Sequence, residues 1–208
     1  MTRNDFSRKN LTALPNLLTY LRVLAIPVII VILIPPTSGR LQNLAFALYV
    51  LASLTDYLDG ILARRHNLVT SVGKLLDPLA DKLLTCAVLI MLIELGKVHG
   101  WMVFLIIGRE FIITGLRSIA ASQGLILDAS RMGKNKMVSQ TVALLCLLLH
   151  WERWQRPLWV TGTVFLWISL AFGYWSAGAY FLDFYLKAKA LQSAPPRNSP
   201  HESAQTPS

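Results

Sequence analysis

Residues 41–95 read LQNLAFALYVLASLTDYLDGILARRHNLVTSVGKLLDPLADKLLTCAVLIMLIEL, and this stretch decides the fold. It contains two apolar runs, and a helix of about 20 such residues crosses the roughly 30 Å hydrocarbon core of a bilayer. The polar segment from Arg64 to Lys74 separates the two runs. We therefore predict two membrane helices joined as a hairpin. Both carry aspartates, which are rare within membrane helices and usually functional.

The composition of the whole chain agrees with a membrane protein. Of 208 residues, 54% are hydrophobic and 15% are charged, whereas a soluble domain carries roughly 25% charged residues. The net charge of +9 suits anionic lipid headgroups or phosphorylated substrates. Nucleic acid is the weaker interpretation, because the apolar runs leave no contiguous soluble surface for a basic patch. Cys86 and Cys146 lie in apolar stretches, so we expect no disulfide and no zinc site.

The rest of the chain adds four more apolar runs. We predict an all-α, polytopic membrane protein with six spans, at residues 17–34, 41–64, 75–95, 101–121, 134–151 and 158–186. Residues 1–16 form a cytoplasmic or interfacial segment, which we expect to be retained because no cleavage pattern follows it. Residues 17–189 form the membrane domain, and the polar tail of residues 190–208 is expected to be disordered.

Basic residues outside the predicted spans set the orientation. Twelve lie on the side of the N-terminus and four on the other side, so the positive-inside rule places both termini in the cytoplasm. The twelve are Arg3, Arg8, Lys9, Arg64, Arg65, Lys74, Arg131, Lys134, Lys136, Lys187, Lys189 and Arg197. The four are Arg40, Lys97, Arg153 and Arg156. Trp151, Trp154 and Trp159 are expected to form an aromatic belt at the outer interface.

Four aspartates gather in the hairpin: Asp56, Asp59, Asp77 and Asp81. Each intramembrane charge costs about 2.5–3.5 kcal/mol on insertion scales, so four of them call for an ion or a water-filled cavity. Oxygen ligands without His or Cys suit a hard cation such as Mg²⁺, Mn²⁺ or Ca²⁺. Two such ions favour chemistry on a phosphate. Small residues at Gly60, Ala63 and Gly73 leave room for a ligand, although close helix packing explains them equally well.

The spacing of this cluster is specific enough to compare with known families. DYLDGILARRHNLVTSVGKLLDPLAD, residues 56–81, fits the pattern D-x2-D-G-x2-A-R-x8-G-x3-D-x3-D and resembles the CDP-alcohol phosphatidyltransferase family. That resemblance implies six transmembrane helices, two Mg²⁺ or Mn²⁺ ions per active site, a homodimer and a place in the cytoplasmic membrane with the site facing the cytoplasm. It implies that the four aspartates bind metal and that Asp81 is also the general base. The residues it implies for CDP-diacylglycerol are Asp56, Gly60, Ala63, Arg64 and Gly73.

Basic residues inside or beside the spans predict a second phosphate site. Arg109 and Arg117 lie two turns apart in the fourth span, and Lys134 and Lys136 open the fifth. Together they supply the donors that a phosphate dianion needs. The alternatives are that Arg109 and Glu110 offset other buried charges, since sequence neighbours on a helix pair poorly with each other, and that the lysines reach the interface. Thr19, Arg22 and Gln140 are predicted to support the site, and Arg22 could instead pair with an aspartate.

A second phosphate site predicts a phosphorylated alcohol as acceptor. The segments PNLLTYLR, GREFIITGLR and GKNKMVSQT are similar to the branch of the family that uses glycerol 3-phosphate. The resemblance implies transfer of the phosphatidyl group from CDP-diacylglycerol to the sn-1 hydroxyl of that acceptor. The branch that makes phosphatidylinositol phosphate also needs such a pocket and stays open. A divalent-cation transporter and an inactive scaffold are the alternatives from other classes.

Overall fold

A computed structural model describes residues 14–66, 71–122 and 131–193, with side chains described over 20–55, 79–122, 133–187 and at Lys189. The described residues form six α-helices and one short 3₁₀ turn, with no strand among them. The helices are α1 (Leu14–Leu33), α2 (Gly39–His66), α3 (Ser71–Glu94), α4 (Gly100–Ser122), α5 (Arg131–Leu148) and α6 (Gln155–Ser193). The turn Glu152–Trp154 precedes α6.

The six helices coincide with the six predicted spans, and the all-α fold class is confirmed. The helix ends differ from the predicted ends by one to seven residues, and two of these shifts cross a predicted domain boundary. The first helix begins at Leu14, inside the segment assigned to the N-terminus, and α6 continues to Ser193, past the predicted start of a disordered tail at residue 190. The run LKAKALQS contains good helix formers, which extend the helix beyond its apolar part.

The core lies where the helices meet. Its largest cluster draws buried side chains from α1 to α6, among them Ile29, Leu89, Leu144 and Leu166. A smaller cluster joins α4 to α6 through Ile113, Leu116, Ala177 and Tyr180. The surface carries many apolar side chains, such as Phe104 at 73% exposure, Phe111 at 70% and Trp175 at 72%. Among the described residues, Glu152–Lys187 is the one stretch that is long and apolar enough to cross a membrane by length and composition.

One end of the bundle is held together by polar contacts between the connections. The helix α3 ends in a Schellman motif, in which Gly96 has φ 65° and the amides of Gly96 and Lys97 bond to the carbonyls of Ile93 and Leu92. Glycine tolerates this left-handed conformation without steric cost. Nearby, the Asn43 side chain bonds to the backbone N–H and C=O of His150 at 2.9 Å each. These bonds tie α2 to the end of α5.

The contact between α5 and α6 depends on Gly162. A Cβ at Gly162 would lie 2.6 Å from Leu147 Cγ and 3.1 Å from the Ala143 carbonyl oxygen, and Leu147 is itself buried. We expect Gly162→Ala to lower the free energy of unfolding by about 1–3 kcal/mol through overpacking. Gly178→Ala on the same helix is the control, because its Cβ would meet nothing within 4 Å. Denaturant or thermal unfolding in detergent measures both, and equal stabilities would contradict the expectation.

Candidate active site

The aspartate pattern lies on two consecutive helices that contact each other, α2 and α3. Asp56 is ten residues before the end of α2, and Asp81 is ten residues after the start of α3. At 1.5 Å per residue, each lies about 15 Å along its helix from the connection. Residues 67–70 join the helices, and so short a link spans on the order of 18 Å at most. The backbone therefore brings the two aspartate pairs to similar levels of one hairpin.

Most predicted ligand residues of this hairpin, and the supporting residue Thr19 of α1, have side chains outside the described part. These are Thr19, Asp56, Asp59, Gly60, Ala63, Arg64, Gly73 and Asp77. Among the described side chains no group of three or more metal-ligating residues occurs, so the metal site stays a prediction. The residue types fit a hard cation, because aspartates at similar levels of α2 and α3 supply carboxylate oxygens as ligands.

Asp81 is the aspartate of the pattern whose side chain is described, and it is partly buried. Its carboxylate lies close enough to Tyr49 of α2 and Lys136 of α5 to act on both electrostatically. Tyr49 is 3% exposed. Asp81 therefore lies near Lys136, one of the basic residues predicted for the acceptor phosphate.

Those basic residues meet at Glu110. Its Oε1 accepts hydrogen bonds from Arg109 Nη1 at 2.8 Å and from Lys136 Nζ at 2.5 Å. Arg109 also donates through Nε to the carbonyl of Gly173 on α6 at 3.0 Å. Arg109 and Lys136 are 8% and 9% exposed. The cluster joins three helices and holds two cations around one carboxylate.

The expectation that Arg109 and Glu110 pair poorly with each other was wrong. Helix neighbours point about 100° apart, but both side chains are long enough to bend towards each other. Lys136 from the neighbouring helix draws the Glu110 carboxylate to the point where Arg109 reaches it. The void beside Arg109 and Lys136 measures about 10 Å³, which holds about one water molecule. In this arrangement both cations bind Glu110, and the void beside them is too small for a phosphate group.

The other two residues predicted for the acceptor are placed differently. The Nη2 group of Arg117 donates a hydrogen bond to the hydroxyl of Tyr180 on α6, and its guanidinium carbon lies 4.8 Å from the centre of the Tyr180 ring. Lys134 is exposed near the start of α5. The structure thus brings Arg109 and Lys136 together, whereas Arg117 is held by α6.

The supporting residues lie at buried positions of the same bundle. Arg22 of α1 is 3% exposed and donates from Nε to the carbonyl of Ala52 on α2 at 3.4 Å. Gln140 is 5% exposed, and its Oε1 has no hydrogen-bond partner among the described residues. A buried acceptor without a donor costs about 1–3 kcal/mol, so this position suits a bound molecule or water.

The sequence interpretation missed Tyr180, Gly173 and Tyr49. Tyr180 and Gly173 lie on the long apolar helix α6, where no motif distinguishes them from other packing residues. The signal that could have found Tyr49 is its position seven residues before Asp56, two turns away on the same face of α2.

The Glu110 cluster gives a stability prediction. We expect Glu110→Gln to lower the free energy of unfolding by about 3 kcal/mol, because it removes the carboxylate charge that both buried cations contact. Adding Lys136→Gln should recover part of that loss. Glu94→Gln, an exposed change of equal charge at the end of α3, is the control. Chemical unfolding of all four proteins measures the effect, and a fully stable Glu110→Gln variant would refute it.

Comparison with known proteins agrees with this hairpin and its motif. The family model for CDP-alcohol phosphatidyltransferases matches residues 12–175, and the chain belongs to that family. It is 41% identical over 179 residues to a Bacillus subtilis protein named CDP-diacylglycerol–glycerol-3-phosphate 3-phosphatidyltransferase, covering 81% of this chain and 93% of the relative.

Two further relatives with the same name extend the comparison. A Rickettsia typhi protein is 41% identical over 158 residues, which cover 75% of this chain and 88% of the relative. A Salmonella choleraesuis protein is 35% identical over 175 residues, which cover 80% and 92%. The family model spans α1 to α5 and the first part of α6, so the similarity is not confined to the aspartate motif.

Proposed function

We propose that this protein transfers the phosphatidyl group of CDP-diacylglycerol to the sn-1 hydroxyl of glycerol 3-phosphate, giving phosphatidylglycerophosphate and CMP. The observation that carries the proposal is the complete aspartate motif at matched levels of α2 and α3. Family membership supports it, and so do the printed names of relatives at 35–41% identity. The same names favour glycerol 3-phosphate over inositol phosphate as acceptor.

The reaction forms one P–O bond and breaks another. Asp81 takes the proton of the sn-1 hydroxyl as the oxygen attacks the phosphorus that carries the diacylglycerol, and the bond to CMP breaks on the opposite side. Asp56, Asp59, Asp77 and Asp81 would hold Mg²⁺ or Mn²⁺, and these ions would offset charge on the pyrophosphate. Gly60, Ala63, Arg64 and Gly73 would border the CDP group.

The acceptor phosphate is assigned to the basic residues of α4 and α5. Arg117 and Lys134 are proposed as direct contacts, because neither pairs with Glu110 in the arrangement described above. Arg109 and Lys136 exceed Glu110 by one positive charge, so their cluster adds a favourable field for an anion. Thr19, Arg22 and Gln140 are proposed to support the hairpin and the acceptor.

We place the six helices across the cytoplasmic membrane, with both termini and the aspartates on the cytoplasmic side. Apolar side chains such as Phe104 and Phe111 cover the outside, whereas charged groups such as Arg22, Arg109 and Lys136 lie inside. This distribution is favourable in lipid, where buried charges need partners within the bundle. A homodimer is proposed from the family, and the mass of the purified protein in detergent would test it.

The deciding experiment supplies purified protein with labelled CDP-diacylglycerol and, in turn, glycerol 3-phosphate, myo-inositol phosphate, serine or phosphatidylglycerol. We expect labelled phosphatidylglycerophosphate with the first acceptor and little product with the others. Product with inositol phosphate alone would move the protein to the other branch. Divalent-metal flux in proteoliposomes without lipid substrate would favour a transporter instead.

Replacing Arg117 with Ala tests the acceptor assignment. A charge-assisted hydrogen bond to phosphate contributes about 1.5–3 kcal/mol, so we expect the KM for glycerol 3-phosphate to rise about 10–100-fold. The KM for CDP-diacylglycerol should change little. Arg153→Ala, an exposed change on the 3₁₀ turn, is the control. An unchanged KM for glycerol 3-phosphate in Arg117→Ala would remove Arg117 from the acceptor site.

A further inference from the structure

A cavity of about 400 Å³ lies at the end of the bundle formed by the connections after α3 and α5. Its lining comes from the 95–99 connection, the end of α5, the 3₁₀ turn and the first turns of α6. The lining residues are Lys97, Cys146, Leu147, Leu149, Glu152, Gln155, Arg156 and Trp159. None of them belongs to the aspartate motif or to the basic cluster around Glu110.

Lys97 lines this cavity and is held in place by hydrogen bonds of its backbone and its side chain. The Schellman motif at Gly96 sets its backbone, and its carbonyl accepts a hydrogen bond from Trp159 Nε1 at 2.9 Å. Its ammonium donates to Gln42 Oε1 at 3.0 Å and to the Leu147 carbonyl at 2.7 Å. An ammonium has three N–H donors, so these two bonds leave one for a ligand. Burial lowers the pKa of Lys97, and a bound anion would stabilise its charge.

The lining of the cavity combines two kinds of residue. Arg156 and Gln155 add donors beside Lys97, whereas Leu147, Leu149 and Trp159 provide an apolar wall. Glu152 also lines the cavity, so the two cations and one carboxylate leave a net charge of +1. That charge matches a phosphodiester monoanion better than a phosphate dianion. A lining that combines cations with apolar side chains suits a molecule with a phosphate and a hydrocarbon part.

We propose that this cavity binds the phosphodiester group of a phospholipid, at a site separate from the one that carries the proposed transfer reaction. Trp151 and Trp154 lie within two residues of Glu152 in the sequence and are exposed by 59% and 54%, and exposed tryptophan is typical of the membrane interface. The inference rests on the proposed membrane position of the helices. It does not depend on the identity of the acceptor or on turnover.

The test measures binding to the purified full chain in a phosphate-free maltoside detergent. Short-chain phosphatidylglycerol and inorganic phosphate are titrated separately, and native mass spectrometry counts the bound molecules. Arg156→Gln and Lys97→Gln are compared with Arg153→Gln, which makes the same charge change one residue after Glu152 but does not line the cavity. All three variants keep the aspartate motif, so any lipid bound there contributes equally and does not affect the comparison.

We expect Arg156→Gln and Lys97→Gln each to weaken binding of one phosphatidylglycerol molecule about tenfold, since each removes a charge-assisted bond. Arg153→Gln should bind like the wild type, and Arg156→Gln should retain its turnover with glycerol 3-phosphate. Equal lipid affinity in all variants would overturn the proposal. Inorganic phosphate that binds as tightly as the lipid, with the same sensitivity to Arg156→Gln, would assign the cavity to free phosphate and overturn the lipid part.

Discussion

Asp81→Asn is expected to lower kcat about 10²–10⁴-fold, the usual contribution of a general base. The amide keeps the shape of the carboxylate but accepts no proton, so the affinity for CDP-diacylglycerol should change far less than kcat. Single-turnover kinetics and equilibrium binding of CDP-diacylglycerol measure the two quantities separately. Glu94→Gln is the matched control, because it makes the same charge change on the same helix at its exposed far end.

Asp81 is assigned as the base from the family resemblance and from its place near the basic cluster. Its carboxylate acts electrostatically on Lys136, whose cluster adds to the field for the acceptor phosphate. A base has to reach the hydroxyl of the acceptor, and a position near these cations suits that role. Turnover at the wild-type rate in Asp81→Asn would remove it from this role.

The helices were predictable from the sequence because each apolar run is bounded by local signals. Pro35 and Pro36 precede α2, and Gly96 and Gly100 bracket the connection between α3 and α4. These residues act within a few positions of themselves, so a single sequence is enough to locate the turns. The end of α6 was misplaced because its polar residues are compatible with either a helix or a loop.

The partners of the basic residues were not predictable in the same way. Glu110 binds Lys136, 26 positions away, and Arg117 contacts Tyr180, 63 positions away. Helical periodicity gives the face on which a residue lies but not the helix that packs against that face. The aspartates could be assigned because the chemistry of four carboxylates in one hairpin admits few roles, whereas a lone tyrosine on an apolar helix has an ordinary packing role.

Removal of divalent cations is expected to abolish turnover, and added Mg²⁺ or Mn²⁺ should restore it. The four aspartates share one hairpin, and among them Asp56 and Asp81 lie at equal distances from its connection. Without cations their mutual repulsion disfavours the folded hairpin, so removal should also lower the melting temperature. A ligand at 100 times its Kd stabilises by about 2.7 kcal/mol, which gives a readout independent of activity.

The variant Asp56→Asn with Asp59→Asn separates a metal site from a general effect of salt. It should lose both the turnover and the rise in melting temperature with Mg²⁺, whereas Glu94→Gln should keep both. Calorimetry with and without excess EDTA measures the melting temperature, and the transfer assay under the same conditions measures the turnover. Activity that persists in excess EDTA would refute the metal requirement. Persistent stabilisation by Mg²⁺ in the double variant would place the cation elsewhere in the protein, because carboxylates are the ligands that such an ion requires.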